Sequence, residues 1–115
     1  MDTAARLERA NRVEALVHSF PSLFNADPPL YPLEAEALTA WATLYEKTAD
    51  PMAYWAARFV LSVCLDGGAD FDAIQAVRAW DSRHQEAFIR WIRRPFFGGL
   101  KVRSVARHIA SRSPR

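Results

Sequence analysis

The sequence has little cysteine and no long apolar stretch, and each shortage excludes a class of protein. Cys64 is the only cysteine among 115 residues, so no disulfide can form within the chain. Its place in the apolar run FVLSVCL favours a buried, unreactive thiol over a nucleophile. No apolar run approaches the roughly 20 residues that span a bilayer, and the start MDTAARLERANR has no secretory h-region. We therefore expect a cytoplasmic protein without a membrane segment.

The residue patterns that mark metal, nucleotide or catalytic sites are also missing. His18, His84 and His108 fall in three different segments, none with a second ligand at metal-binding spacing. The pairs Gly67-Gly68 and Gly98-Gly99 lack the flanking residues of a phosphate-binding loop. No serine lies on a recognisable nucleophile elbow, so the sequence does not indicate a Ser-His-Asp triad. The sequence predicts a non-enzymatic protein with no metal and no cofactor.

What the chain has in quantity is apolar and aromatic residues in helical spacing. Half of the residues are apolar, including four Trp, seven Phe and three Tyr, which is enough for one core. Proline, glycine and aspartate divide the chain into helical segments, and no convincing strand appears. We predict an all-α, compact single-domain bundle of five or six helices. The apolar positions of the first two helices are Leu7, Ala10, Val13, Leu16, Val17 and Phe20, then Leu33, Ala37, Leu38, Trp41, Leu44 and Tyr45.

The segment DPMAYWAARFVLSVCLDGG predicts the central helix, near residues 50–66. Asp50 suits the N-cap and Pro51 the first turn, and Gly67 can take the left-handed conformation of a C-terminal cap. This segment is apolar nearly all round, as expected of a helix in the middle of a bundle. Two short helices follow, capped by Asp72 and by Asp81 or Ser82.

The chain after Pro95 is predicted to differ from the rest. Phe96 and Phe97 are expected to anchor an FFGG link to the core. Residues 1–97 then form the helical core domain, and residues 98–115 form a basic amphipathic helix and tail, either docked on the domain or partly mobile. A two-residue-period strand over LKVRSV is the alternative for this last segment.

Charge is divided unequally along the chain. Residues 1–87 contain 7 basic and 13 acidic side chains, whereas residues 88–115 contain 8 basic and no acidic ones. Such a segment suits a polyanion, although lysine and arginine near a helix C-terminus also pair with acids of the same fold or of a second subunit. Trp91, among these arginines, is available for cation-π stacking or an aromatic partner. The candidate contacts are Arg90, Trp91, Arg93, Arg94, Lys101, Arg103, Arg107 and Arg112.

One stretch, ARFVLSVCLDGGADFDAIQAVRAWDSRHQEAFIRWI at residues 57–92, resembles a family of small uncharacterised proteins from proteobacterial plasmids and integrated elements. The shared features are a buried Leu- and aromatic-rich helix, a Gly break, Phe71-Asp72, and then Val77 and Asp81 ahead of another apolar helix. The resemblance implies an accessory role and brings no site residues with it.

Two functions follow from these observations. The first is a non-enzymatic interaction or accessory protein, binding a protein partner or itself through the aromatic and basic surface near Trp91–Phe97. The second is a nucleic-acid-binding module that grips DNA or RNA through residues 90–115. A helix-turn-helix interpretation of 72–94 is disfavoured, because the arginines of its second helix gather at the C-terminal end whereas base contacts usually come from the N-terminal part.

Overall fold

Five α-helices and two 3₁₀ turns account for the regular structure of the computed structural model, which describes residues 3–23, 33–66 and 69–100. No β-strand occurs in those ranges, so the predicted all-α single-domain bundle is confirmed. The elements are α1 (Thr3–Ser19), a 3₁₀ turn (Pro21–Leu23), α2 (Ala35–Thr43), a second 3₁₀ turn (Leu44–Lys47), α3 (Pro51–Cys64), α4 (Ala73–Ala79) and α5 (Ser82–Arg93).

Several predicted features lie outside the described residues. These are the cap at Gly67, all of the predicted last helix beyond Leu100, and four of the candidate contacts, Lys101, Arg103, Arg107 and Arg112. Within the described ranges, no helix is both long and apolar enough to cross a membrane.

The N-terminal ends of three helices are capped by aspartates at the predicted positions. The Asp50 carboxylate accepts a hydrogen bond from the Met52 N–H at 3.0 Å. Asp72 caps α4 and Asp81 caps α5 in the same way. Each cap satisfies backbone donors that have no partner inside the helix, which explains why helices as short as α4 start where they do.

Helix α3 lies at the centre of the bundle, as predicted, and contacts α1, α2 and α4. Its buried positions run along nearly its whole length. At its end the left-handed residue is Asp66, with φ 54°, a conformation that aspartate tolerates better than most residues. The central position of α3 therefore follows from its nearly continuous apolar surface.

Phe59 of α3 is the centre of an aromatic cluster. Its ring makes edge contacts with Phe20, Phe88 and Trp91, with centroid distances of 5.8, 5.1 and 5.1 Å. Trp80 and Phe71 complete the cluster. Aromatic pairs in such edge-to-face arrangements contribute beyond the area they bury. The cluster joins the end of α1 to α3, α4 and α5.

Three apolar side chains are more exposed than their spacing predicts. Leu7 lies in the first turns of α1 and is 47 % exposed. Leu44 is 67 % exposed because α2 tightens to a 3₁₀ turn there, and the change from 3.6 to 3.0 residues per turn rotates the side chain away from the core. Phe97 is 59 % exposed, so the prediction that it anchors the link to the core was wrong. Phe96 does pack against the core.

Candidate functional site

A groove between α1 and α5 lies beside the predicted contacts. It has a volume of about 450 Å³ and is closed at one end by Pro95 and Phe96. We call it the arginine groove, because Arg12, Arg90 and Arg94 line it together with the rings of Trp91 and Phe96. The remaining lining residues are small or apolar: Ala15, Leu16, Ser19, Ala87 and Pro95.

The groove exists because two helices with small residues at their contact lie beside each other. Ala87 is buried on α5, and Leu16 is buried on α1. Arg90 of α5 and Arg94, directly after the helix ends, flank Trp91, which points inward and meets Phe59. The positive side chains therefore rim the groove while the aromatic and small side chains form its floor.

One hydrogen bond shapes the closed end. After α5 ends at Arg93, the Trp91 indole N–H donates to the Phe96 carbonyl oxygen at 3.1 Å. This contact turns the chain back across the end of the helix and holds Phe96 against the bundle, while the Phe97 ring packs edge-on against Trp91 at 5.6 Å. The Trp91 donor is thus already satisfied, and a ligand would meet the ring rather than the N–H.

The charge of the groove is not balanced within the described chain. No acid lines it, and neither Arg90 nor Arg94 forms an ion pair with any described residue. Arg12 pairs with Glu8 over 3.1 Å, but both side chains are exposed, and an exposed pair at this spacing is worth less than about 1 kcal/mol. An anionic ligand would therefore displace little existing interaction.

A smaller hollow extends the groove along α1. It has a volume of about 200 Å³, shares Arg12 and Phe96 with the arginine groove, and adds Arg9 and Phe97. The exposed Phe97 ring thus belongs to this surface rather than to the core. The two hollows together form a path lined by four arginines, three aromatic rings and one acid, Glu8.

The structure brings together three of the candidate contacts, Arg90, Trp91 and Arg94. Arg93 is exposed on α5 but does not line the groove. Sequence reasoning missed Arg9 and Arg12, which lie some 80 positions away from Trp91 along the chain. No local signal distinguishes them, because an arginine on the polar face of an amphipathic helix is ordinarily solvated.

A third hollow has the opposite charge. It has a volume of about 580 Å³ and lies between the start of α3 and the start of α4, lined by Tyr54, Trp55, Asp70, Phe71, Asp72 and Ala73. The Asp72 carboxylate is occupied as the cap of α4. No group of three or more His, Cys, Asp or Glu side chains within the described ranges could hold a metal ion.

The buried polar residue His84 was not expected at a site. Its ring is 2 % exposed and lies between Asp81 and Ser22, with each ring nitrogen 2.7 Å from an oxygen of one of them. The sequence did not indicate any Ser-His-Asp arrangement, since Ser22 is 62 positions from His84 and only the fold brings them together.

The fold and the groove define a class: a small all-α domain that presents a cationic, aromatic-floored groove. No protein-family model, curated protein or solved structure matches the chain. The function has to be argued from the groove itself.

Proposed function

We propose that the chain is an interaction protein, and that its arginine groove binds an acidic segment of a partner protein bearing an aromatic or branched apolar side chain. The observation that carries the proposal is that Arg90 and Arg94, which form no ion pair with a described residue, lie above a floor of Trp91, Phe96 and small residues.

The arginines supply the selectivity for carboxylates. A guanidinium presents a planar set of donors that matches a carboxylate with two parallel hydrogen bonds. Three such groups rim the arginine groove, and among the described residues only Arg12 has an acidic partner, the exposed Glu8. A partner with two or three carboxylates in sequence would therefore meet complementary charge along the rim, which raises association rates and fixes orientation.

The floor supplies the apolar contact. Arg, Trp and Phe are enriched where proteins bind one another, and buried aromatic anchors carry much of the binding energy. Trp91 is half-buried and held in place by Phe59 and by its own hydrogen bond, so it loses little side-chain freedom on binding. The volume of about 450 Å³ takes a few side chains rather than an entire domain.

The test uses a fluorescent Glu-rich peptide containing one Phe, with binding followed by anisotropy. The double variant Arg90→Glu/Arg94→Glu should weaken binding by about 100-fold, which is the loss of two charge-assisted contacts. The matched control is Arg78→Glu/Arg83→Glu, which makes the same change of net charge at exposed positions outside the groove. Equal weakening by the two double variants would show that net charge alone attracts the peptide, and the proposal would fail.

A second function, nucleic-acid binding, is favoured by the same arginines lying beside an accessible aromatic ring. Bases stack on aromatic side chains while basic residues follow the phosphates. The segment that contains these residues, 88–115, has 8 basic and no acidic side chains, so its sequence is strongly positive. Neutralising about five phosphates would make log K fall against log salt with a slope near −4 to −5. Tighter binding of short single-stranded DNA or RNA than of the peptide, with that slope, would replace the proposed partner.

Self-association is the remaining outcome. The hollow with Asp70 and Phe71 has the charge and aromatic character to meet arginines of a second copy. Binding would then appear as a mass that increases with protein concentration, and as a melting temperature that rises with it. Abolition of the larger species by Arg90→Glu/Arg94→Glu would assign the groove to an interface between copies.

A further inference from the structure

Ser22, His84 and Asp81 form a continuous hydrogen-bonded relay at the junction of α1 and α5. The Asp81 Oδ1 atom lies 2.7 Å from His84 Nδ1, and His84 Nε2 lies 2.7 Å from the Ser22 hydroxyl oxygen. Ser22 belongs to the 3₁₀ turn after α1 and is only partly buried, whereas the His84 ring is almost fully enclosed. The relay therefore runs from the surface into the core and out again at Asp81.

The hydrogen-bond inventory assigns the protons along the relay. An ionised carboxylate can only accept, so the proton on the imidazole has to lie on Nδ1 and point toward Asp81. His84 Nε2 is then bare, and it accepts from the Ser22 hydroxyl at 2.7 Å and, more weakly, from the Ser22 backbone N–H at 3.3 Å. This is the tautomer in which an imidazole acts as a general base toward a hydroxyl group.

The base is also held in one orientation. The His84 ring packs against Phe20 at 5.9 Å and stacks on Trp80 at 6.3 Å with an angle of 24° between the planes. Asp81 accepts from both the backbone N–H and the ring of His84, and these bonds lower the pKa of its carboxyl group. Asp81 is thus ionised at neutral pH. The His84 ring is already oriented to take the proton of the Ser22 hydroxyl group.

We propose that Ser22 is an activated nucleophile that accepts acyl or phosphonyl groups from activated esters and related electrophiles, with His84 as its base and Asp81 as a positioning residue. The Ser22 oxygen forms a bond to the carbonyl carbon, and its proton passes to His84 Nε2. The bond from that carbon to the leaving oxygen then breaks, and His84 returns the proton to the departing alkoxide. The products are an O-acyl serine and an alcohol. With a fluorophosphonate, a P–O bond forms, the P–F bond breaks, and the proton leaves with fluoride.

The experiment is labelling of the intact chain with a fluorophosphonate, followed by peptide mapping and a measured rate. The expected adduct is on Ser22, with a rate about 100-fold above that of Ser82, since general-base assistance is worth at least that factor. Ser82 is the internal control because it is an exposed serine whose hydroxyl forms no hydrogen bond with a described residue. Unfolding in urea should bring both serines to the same low rate.

Two further variants separate catalysis from structure. His84→Gln keeps polar atoms in the ring's place but removes the base, and it should abolish the Ser22 adduct. Asp81→Asn should slow labelling by about tenfold or more while the near-ultraviolet circular dichroism stays native. Asp72→Asn makes the same substitution at another helix N-cap that has no histidine attached, and it should leave the labelling rate unchanged. The proposal would be overturned if Ser22 were labelled no faster than Ser82, or if Asp81→Asn and Asp72→Asn slowed labelling equally. The hydrogen bonds of Ser22, His84 and Asp81 would then have only a structural role.

Discussion

Gly98 lies directly against the backbone of Cys64. A β-carbon at position 98 would be 2.7 Å from the Cys64 Cα and 2.8 Å from its carbonyl oxygen, closer than real side chains approach. The contact lets the Gly98 N–H reach the Val63 carbonyl at 2.9 Å and the Leu100 N–H reach the Cys64 carbonyl at 2.9 Å. The chain after the arginine groove is thereby fastened to the end of α3, where the carbonyl groups of the last turn accept hydrogen bonds from outside the helix.

Gly98→Ala should destabilise the protein by about 1 to 3 kcal/mol, because the added methyl group would force the chain at position 98 away from the rigid backbone of Cys64. Gly99→Ala is the comparison. Gly99 has φ +67°, but a β-carbon there would meet only Asp66 Oδ2 at 4.0 Å, an ordinary contact, so its cost should be only the conformational one of about 1 kcal/mol. Urea unfolding measures both variants. A Gly98→Ala protein as stable as wild type would mean that Gly98 is not packed on Cys64.

The Cys64 thiol should be unreactive in the folded protein. Burial, aided by the nearby Asp66 charge, raises its pKa from the ordinary 9.0 to about 12. Native protein at pH 8 should react with a thiol reagent only at the rate of unfolding, while urea-unfolded protein reacts at once. Fast labelling of the native protein would contradict the burial.

The same shift makes stability depend on alkaline pH. The unfolded thiol ionises near pH 9 and the folded thiol near pH 12, so the stabilisation that is full below pH 9 declines as the pH rises through that window. Cys64→Ala should lose this component of the pH dependence. The check is to measure unfolding curves of both proteins from pH 8 up to the highest pH at which they remain folded.

Asp81 should contribute to stability in the opposite pH range. Its hydrogen bonds with the ring and backbone of His84 lower its pKa below the ordinary 3.8. Because the pKa of this carboxyl group is lower in the folded state than in the unfolded state, its ionised form stabilises the fold fully above pH 3.8. This stabilisation is lost as the pH falls below 3.8 and through the pKa of the folded state. The Asp81→Asn variant should therefore be less stable than wild type at pH 7, and its free energy of unfolding should decrease less as the pH is lowered. An unchanged acid limb would show that the contact does not persist in solution.

Tyr45→Phe should leave stability unchanged or raise it by about 1 kcal/mol. The Tyr45 hydroxyl is buried and has no hydrogen-bond partner among the described residues, so it bears a desolvation cost without a compensating bond. The same burial raises its pKa. Thermal melting of the variant tests this, and a loss above about 1 kcal/mol would indicate a partner that the hydroxyl uses in solution.

Phe59 should matter far more than an equally large exposed ring. Phe59→Ala removes the centre of the aromatic cluster and should cost about 3 to 5 kcal/mol, whereas Phe97→Ala should change stability by less than about 0.5 kcal/mol. The two variants delete the same atoms, so the difference reports burial alone. Similar losses at the two positions would place the core elsewhere.

Part of the arginine groove was predictable from the sequence, and part was not. The grouping of Arg94 with Arg90 and Trp91 ahead of Pro95 follows from spacing, because Arg94 comes four and three residues after them at the end of a helix, and residues at that spacing share a helix face. Arg12 lies on a helix whose charged face gives no indication of which neighbour it meets. The partnership of Ser22 with His84 is also unreadable, since no rule of spacing links residues 62 positions apart.

The sequence by itself determined the helices of this protein and their buried faces. Asp50, Asp72 and Asp81 mark where three helices begin, and the apolar positions of α3 mark the centre of the bundle, because capping and periodic burial are local properties. Only the tertiary structure decided what the helix surfaces do. The side-by-side packing of α1 and α5 turned two ordinary arginine-bearing faces into one groove, and the close contact of Gly98 with Cys64 set the direction in which the chain leaves it. These are contacts between residues remote in sequence, and they depend on packing geometry that no local pattern encodes.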